Sequence, residues 1–120
     1  MDLLNLFRNP SQVESFSTGQ TIFQVGDPGK IMYVLLKGEI ELSLHHKVFS
    51  TIYPGEILGE LSLVDQAPRS ADAVAKTDCV LAPVSEHHFL FLVQETPYFA
   101  LHVMSIIAER LRRRTEEVVR

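Results

Sequence analysis

Two charged residues, Glu60 and Arg69, lie inside the most informative segment of this 120-residue chain, Gly59-Glu60-Leu61-Ser62-Leu63-Val64-Asp65-Gln66-Ala67-Pro68-Arg69-Ser70-Ala71. An ionised carboxylate only accepts hydrogen bonds, so Glu60 suits hydroxyl donors such as those of a ribose. A guanidinium is a planar fork that pairs with phosphate oxygens in a way a lysine cannot copy. Gly59 and Ser62 are small enough for the backbone to approach a ligand closely, and N–H groups at the start of a short helix can point at phosphate oxygens. The chemistry on offer is recognition of a sugar carrying a phosphate. Each residue alone has a plainer reading. An acid in a first helical turn complements the helix dipole, and an arginine after proline in a turn is commonly just solvated. It is the order of all the parts that favours ligand contact.

A rigid frame must hold these residues, and the rest of the chain reads as one. All six glycines, Gly19, Gly26, Gly29, Gly38, Gly55 and Gly59, fall in the first half, between runs of strand formers. Short strands punctuated by turns predict an antiparallel sandwich or barrel. Ile40–Leu44 alternates apolar and polar residues as a half-buried strand does. His45-His46-Lys47 reads as a hairpin tip, with Val48–Ile52 returning, and Ser70–Val74 and Asp78–Val84 are further strands. Pro83 confines the last of these to an edge or a strand end. After Val84 the period changes. Ser85 is a suitable N-cap for a helix to about Gln94, and Thr96-Pro97 starts a second one that could run to the C-terminus. On it Leu101, Met104, Ala108, Leu111, Thr115 and Val118 step by three and four, a heptad-type seam. The first half of that stripe, to about Ala108, is expected to pack on the chain's own barrel, and the terminal half to be exposed unless a second subunit covers it.

Composition and motifs exclude several classes. One domain, residues 1–120, fits the length, and 46% hydrophobic residues suffice for a core. A net charge of −4 argues against nucleic acid as a partner. Cys79, the single cysteine, excludes an intramolecular disulfide and a cluster held by four thiolates, and its apolar neighbours place it in a buried strand. No apolar run approaches a membrane span, and no signal peptide is evident, so a cytoplasmic protein without a membrane partner is expected. The histidines His45-His46 and His87-His88 are adjacent pairs. Neighbouring side chains point to opposite faces of a strand or diverge on a helix, so they cannot readily share a metal. Neither a nucleophile elbow nor a phosphate loop of the triphosphatase type occurs, and the chain is not expected to be an enzyme. The arginines Arg110, Arg112, Arg113 and Arg114 lie among Glu109, Glu116 and Glu117 and read as a solvated helix face, with contact to a partner or a ligand phosphate as the alternative.

The Gly59–Ala71 run resembles the phosphate-binding cassette of the cyclic nucleotide-binding domain family, roughly F-G-E-L-A-L-L followed by P-R-[SAT]-A. Leu58 stands where that family most often has Phe, and Ser62 where it has a small residue. The likeness extends to Phe16–Asp27, Met32–Glu41 and Pro54-Gly55-Glu56, and covers about residues 12–119. From Ile57 to Val118 the chain is similar to the effector domain of bacterial cyclic-AMP receptor-type regulators. The resemblance implies a mainly β fold with α: an antiparallel β jelly-roll, about residues 16–84, with a short N-terminal helix and two C-terminal helices, about residues 85–119. It implies cyclic nucleotide as ligand, with no cofactor or metal. Glu60 then meets the ribose 2′-hydroxyl, Arg69 the cyclic phosphate, and Gly59, Leu61, Ser62, Ser70 and Ala71 line the site.

In the bacterial relatives a Thr-Ser pair of the long helix meets adenine. Aligned on Ala108-x-Arg110-Leu111, that pair falls at Arg114-Thr115. Thr115 keeps the hydroxyl and Arg114 departs from the pattern. Ser70 matches neither the threonine common in guanine-selective members nor the alanine of adenine-selective ones, and cyclic AMP is expected ahead of cyclic GMP. The implied role is a stand-alone cyclic nucleotide sensor that signals by rearranging its C-terminal helices, as a homodimer through the long helix or with an unidentified protein partner. The alternatives are a jelly-roll interaction module that no longer binds nucleotide, and the effector domain of a transcription regulator cut off where its DNA-binding extension would begin.

Overall fold

A computed structural model describes the backbone of residues 1–119 and the side chains through Thr115. The chain divides into a β unit, Asp2–Glu86, and a helical unit from His87 onward. The β unit opens with one helical turn, α1 (Leu3–Leu6), whose first free N–H groups are capped by Asp2: its carboxylate accepts from the Asn5 N–H at 3.2 Å. The strands follow: β1 (Glu14–Phe16), β2 (Thr21–Phe23), β3 (Ile31–Lys37), β4 (Ile40–Leu44), β5 (Lys47–Ile52) and β6 (Ile57–Leu58). A short helix, α2 (Glu60–Asp65), interrupts them before β7 (Asp72–Ala75) and β8 (Cys79–Ser85).

The strands form two antiparallel four-stranded sheets, in the orders β1-β8-β3-β6 and β2-β7-β4-β5, packed as a β sandwich of the expected jelly-roll kind. Between them lies an apolar core that includes Leu35, Ile40, Ile52, Leu58, Ala73 and Leu81. Each fully buried Leu or Ile contributes about 1.5–3 kcal/mol, enough to fix the register wherever one strand face turns inward. The Ile40–Leu44 strand and the returning strand appear where the alternation put them. Between them His45 and His46 both have positive φ, 52° and 65°, the torsions of a two-residue turn matched to strand twist. Cys79 is buried in β8, where burial raises its thiol pKa.

Pro83 lies toward the end of β8 (Cys79–Ser85), as expected of a strand-end proline, although β8 is an inner strand between β1 and β3. The proline is tolerated because β1 reaches only Cys79–Leu81, so at Pro83 the ladder continues on the β3 side alone, opposite Tyr33.

The helical unit holds α3 (Glu86–Glu95, which starts at the last residue of the β unit) and α4 (Tyr98–Val119), both within two residues of the predicted boundaries. The Thr96 N–H closes α3 on Leu92 O at 2.7 Å. Phe99 and Ala100 then donate to Thr96 O and Pro97 O, so α4 begins on the Thr-Pro pair. The helices bend by 119° at this point. The rings of Phe89 and Phe99 pack across the bend at 5.4 Å between centroids. On the expected stripe Leu101 and Met104 are more than half exposed and Ala108 is half-buried, while Phe99 and Val103 are buried. Spaced by four, Phe99 and Val103 form a second apolar face, and periodicity alone does not rank two such faces. Leu111, on the first stripe, is 64% exposed. The Val118 side chain lies outside the described residues. Among the described residues no single helix is long and apolar enough to cross a membrane.

Candidate ligand site

The cassette is built around the turn from β6 into α2. Gly59 takes φ +77°, a left-handed conformation that an L side chain resists, and so redirects the chain from strand to helix in one residue. A Cβ on Gly59 would also lie 2.5 Å from Arg69 Nη1 and 3.2 Å from Ile31 O. The glycine is therefore required twice, for torsion and for space. Glu60 opens α2 and Ser62 lies in its first turn, and both side chains are buried. No side chain caps the N-terminus of α2. At the other end Gln66, with φ +61°, closes the helix through its N–H on Ser62 O. Its amide donates to Leu63 O at 2.9 Å.

Arg69 returns to the same place from the far side. Only 6% exposed, its guanidinium donates from Nη1 to Gly59 O at 3.1 Å and from Nη2 to Ile31 O at 2.6 Å. Its carbon lies 4.3 Å above the centroid of the Phe23 ring, a cation–π contact. The third nitrogen, Nε, is buried with no hydrogen-bond partner. Burial lowers the guanidinium's pKa, and the fields of Tyr33, Asp27 and Glu60 oppose that shift. The Tyr33 phenol is in turn pushed up by burial and by Glu14, against Arg69. A buried cation normally acquires an anion and a full set of acceptors, and two carbonyls do not exhaust a guanidinium. The arrangement suits an incoming anion.

The structure thus brings Gly59, Glu60, Ser62 and Arg69 together. Ala71 is buried beyond them, and Leu61 and Ser70 are exposed at the surface. Arg114 and Thr115 stand exposed on α4, where the Thr115 hydroxyl donates to Leu111 O at 3.1 Å. Three residues of the site escaped sequence reasoning. Phe23 and Ile31 support the guanidinium, and Gly29 fits against it: a Cβ there would lie 2.5 Å from Ser62 Cβ and 2.8 Å from Arg69 Cδ. Gly29 had read as turn punctuation, because a close tertiary approach leaves no local signal. Among the described residues no group of three His, Cys, Asp or Glu could hold a metal.

Comparison with known proteins gives consistent matches. The family model for the cyclic nucleotide-binding domain matches residues 13–96. The cyclic AMP receptor protein of Thermus thermophilus is 33% identical over 102 residues, 81% of this chain and 47% of that protein. The regulatory subunit of the cAMP-dependent protein kinase of Eremothecium gossypii is 39% identical over 80 residues, 67% of this chain and 18% of that protein. The crystal structure of the Thermus thermophilus catabolite activator protein superposes with a TM-score of 0.82 at 31% identity, covering 89% of this chain and 53% of that one. The chain therefore spans about half the length of the bacterial relative and less of the kinase subunit.

Proposed function

The chain belongs to the cyclic nucleotide-binding domain family, and from that premise we propose that it is a sensor whose ligand is a cyclic purine nucleotide, cyclic AMP ahead of cyclic GMP. The observation that carries the reading is Arg69: a buried guanidinium held at the mouth of α2 with Nε still lacking an acceptor. A cyclic phosphate supplies an anion for it, and the start of α2 favours the same negative charge. Glu60 accepts from the ribose 2′-hydroxyl. The preference for cyclic AMP is supported by Arg69-Ser70-Ala71, which matches the cyclic-AMP receptor type, and by relatives named for cyclic AMP. On α4, Thr115 already spends its proton on Leu111 O. Toward a purine it would be an acceptor, which suits the amino group of adenine; Arg114 is assigned to the same contact.

The role is regulatory rather than catalytic, and the protein acts in the cytoplasm. Ligand binds one arrangement of the C-terminal helices better than the other, and the population shifts accordingly. The exposed stripe Leu101, Met104 and Leu111 supports a parallel homodimer through α4. Calorimetry with cyclic AMP and cyclic GMP tests the class, with competition between them for selectivity. Micromolar binding of either is expected. Tighter binding of cyclic GMP by about tenfold, 1.4 kcal/mol, overturns the preference. No binding of either overturns the reading and leaves an interaction module.

A further inference from the structure

One residue outside the cassette touches both of its arms. Gly29 lies between β2 and β3, and a single added carbon on it would lie 2.5 Å from Ser62 Cβ, 2.7 Å from Ser62 Oγ and 2.8 Å from Arg69 Cδ. These separations are about 1 Å inside ordinary van der Waals contact between carbons. The segment around Gly29 also grips Arg69 at its other end. The Gly26 N–H donates to Arg69 O at 2.9 Å, and the Arg69 N–H donates to Asp27 O at 2.8 Å. Two residues beyond Gly29, Ile31 O takes the Nη2 proton. The turn itself is held: Asp27 accepts from the Gln24 N–H and Asp72 accepts from the Val25 N–H, both at 2.9 Å. One short segment therefore fixes the backbone, the stem and the head of Arg69, and at Gly29 it also meets the first turn of α2.

We propose that Gly29 is a positioning residue for phosphate recognition: the absence of a side chain there sets the gap between Ser62 and Arg69, and so the distance between the N–H groups of α2 and the guanidinium. This rests on the cyclic nucleotide reading of the same site. Interiors pack at crystal density, so a methyl group at this point moves one arm or the other. A displaced arm weakens the phosphate contact for every cyclic nucleotide alike, because the base is not involved.

The test is calorimetry with cyclic AMP and cyclic GMP on wild type, Gly29→Ala, Ser62→Gly and the double variant, with denaturant melts of each. Gly29→Ala should lose about tenfold or more in affinity for both nucleotides, with their ratio kept, as overpacking predicts. Ser62→Gly removes the nearer of the two side chains that Gly29→Ala strikes and leaves space into which the Arg69 stem can be relieved, so the added carbon should cost less than about fivefold in that background, a coupling that independent sites do not show. Gly19→Ala serves as a control for strain alone: its φ is +85° with nothing within 4 Å of an added Cβ. It should lower the melting midpoint and leave affinity unchanged. If Gly29→Ala does not fold, the double variant decides, by folding and binding within about fivefold of Ser62→Gly alone. Equal losses in both backgrounds, a double variant beyond that limit or still unfolded, or a Gly29→Ala affinity within about threefold of wild type all overturn the assignment. A wild type that binds neither nucleotide fails the reading it rests on instead.

Discussion

Arg69→Ala probes folding and ligand binding together: the structure shows the side chain's contacts to the fold, and the proposed reading adds a cyclic phosphate. On the folding side it supplies hydrogen bonds to Gly59 O and Ile31 O and a cation over Phe23. Removing it strips two carbonyls of a charged donor, at roughly 1–3 kcal/mol each if nothing replaces it. Against that, the truncation ends the burial of a cation whose Nε has no acceptor. The ligand-free protein should therefore lose only about 1–3 kcal/mol in all. On the binding side nothing offsets the loss. Truncating one partner of a buried charge pair costs about 2–5 kcal/mol, or about thirty-fold to several thousand-fold in Kd. Arg69→Lys keeps a charge but cannot reach both carbonyls and a phosphate from one ammonium, so it should recover little. Thermal melts with and without cyclic AMP read both quantities. Wild type at about 100 times Kd gains about 2.7 kcal/mol, and that gain should fall to about 0.9 kcal/mol or less in Arg69→Ala at the same concentration. An Arg69→Ala variant that binds within about threefold of wild type would falsify the cassette assignment.

Three further outcomes are expected. Glu60→Gln should weaken cyclic AMP binding far more than binding of its 2′-deoxy analogue; additive losses in the double cycle mean that Glu60 does not meet the 2′-hydroxyl. The Thr18 N–H and hydroxyl both donate to Asp78, at 2.8 and 2.9 Å, and lower its carboxyl pKa. That contribution is complete above the unfolded-state pKa of about 4 and is lost as pH falls through the lower folded value, because the unfolded chain takes the proton first. Asp78→Asn should flatten the acid-side fall of the urea midpoint, and parallel wild-type and variant curves between about pH 5 and pH 2 refute it. Light scattering at micromolar concentration should give a dimer for wild type and a monomer for Leu111→Glu; a monomeric wild type removes the α4 interface.

The parts of this fold that sequence reveals are those fixed by neighbours along the chain. The alternation in Ile40–Leu44 and the change of period after Val84 are local, and the strands and helices stand there. Thr96-Pro97 constrains the backbone directly, so the start of α4 was legible. Ile57–Leu58 is too short for any period to show. Strand order was not legible either: Glu14 pairs with Leu81, and only that non-local register explains why Pro83 is tolerated inside a sheet. The site divides the same way. Glu60 and Arg69 carry charge at a recognisable spacing, whereas Phe23, Gly29 and Ile31 matter through what lies against them in space.

The hairpin tip bears on how freely this sequence can vary. At Gly29 a substitution is limited by volume, and at Arg69 by the number and direction of its N–H donors. At His45 and His46 the limit is torsional, since both residues hold positive φ without being glycine. Asparagine, aspartate and glycine accept those angles, while β-branched residues meet them with strain of order 1–3 kcal/mol. A saturation scan would therefore show two unlike profiles in one small sandwich. Around the cassette tolerance would follow side-chain size and shape, and at the tip it would follow backbone preference with little regard to size.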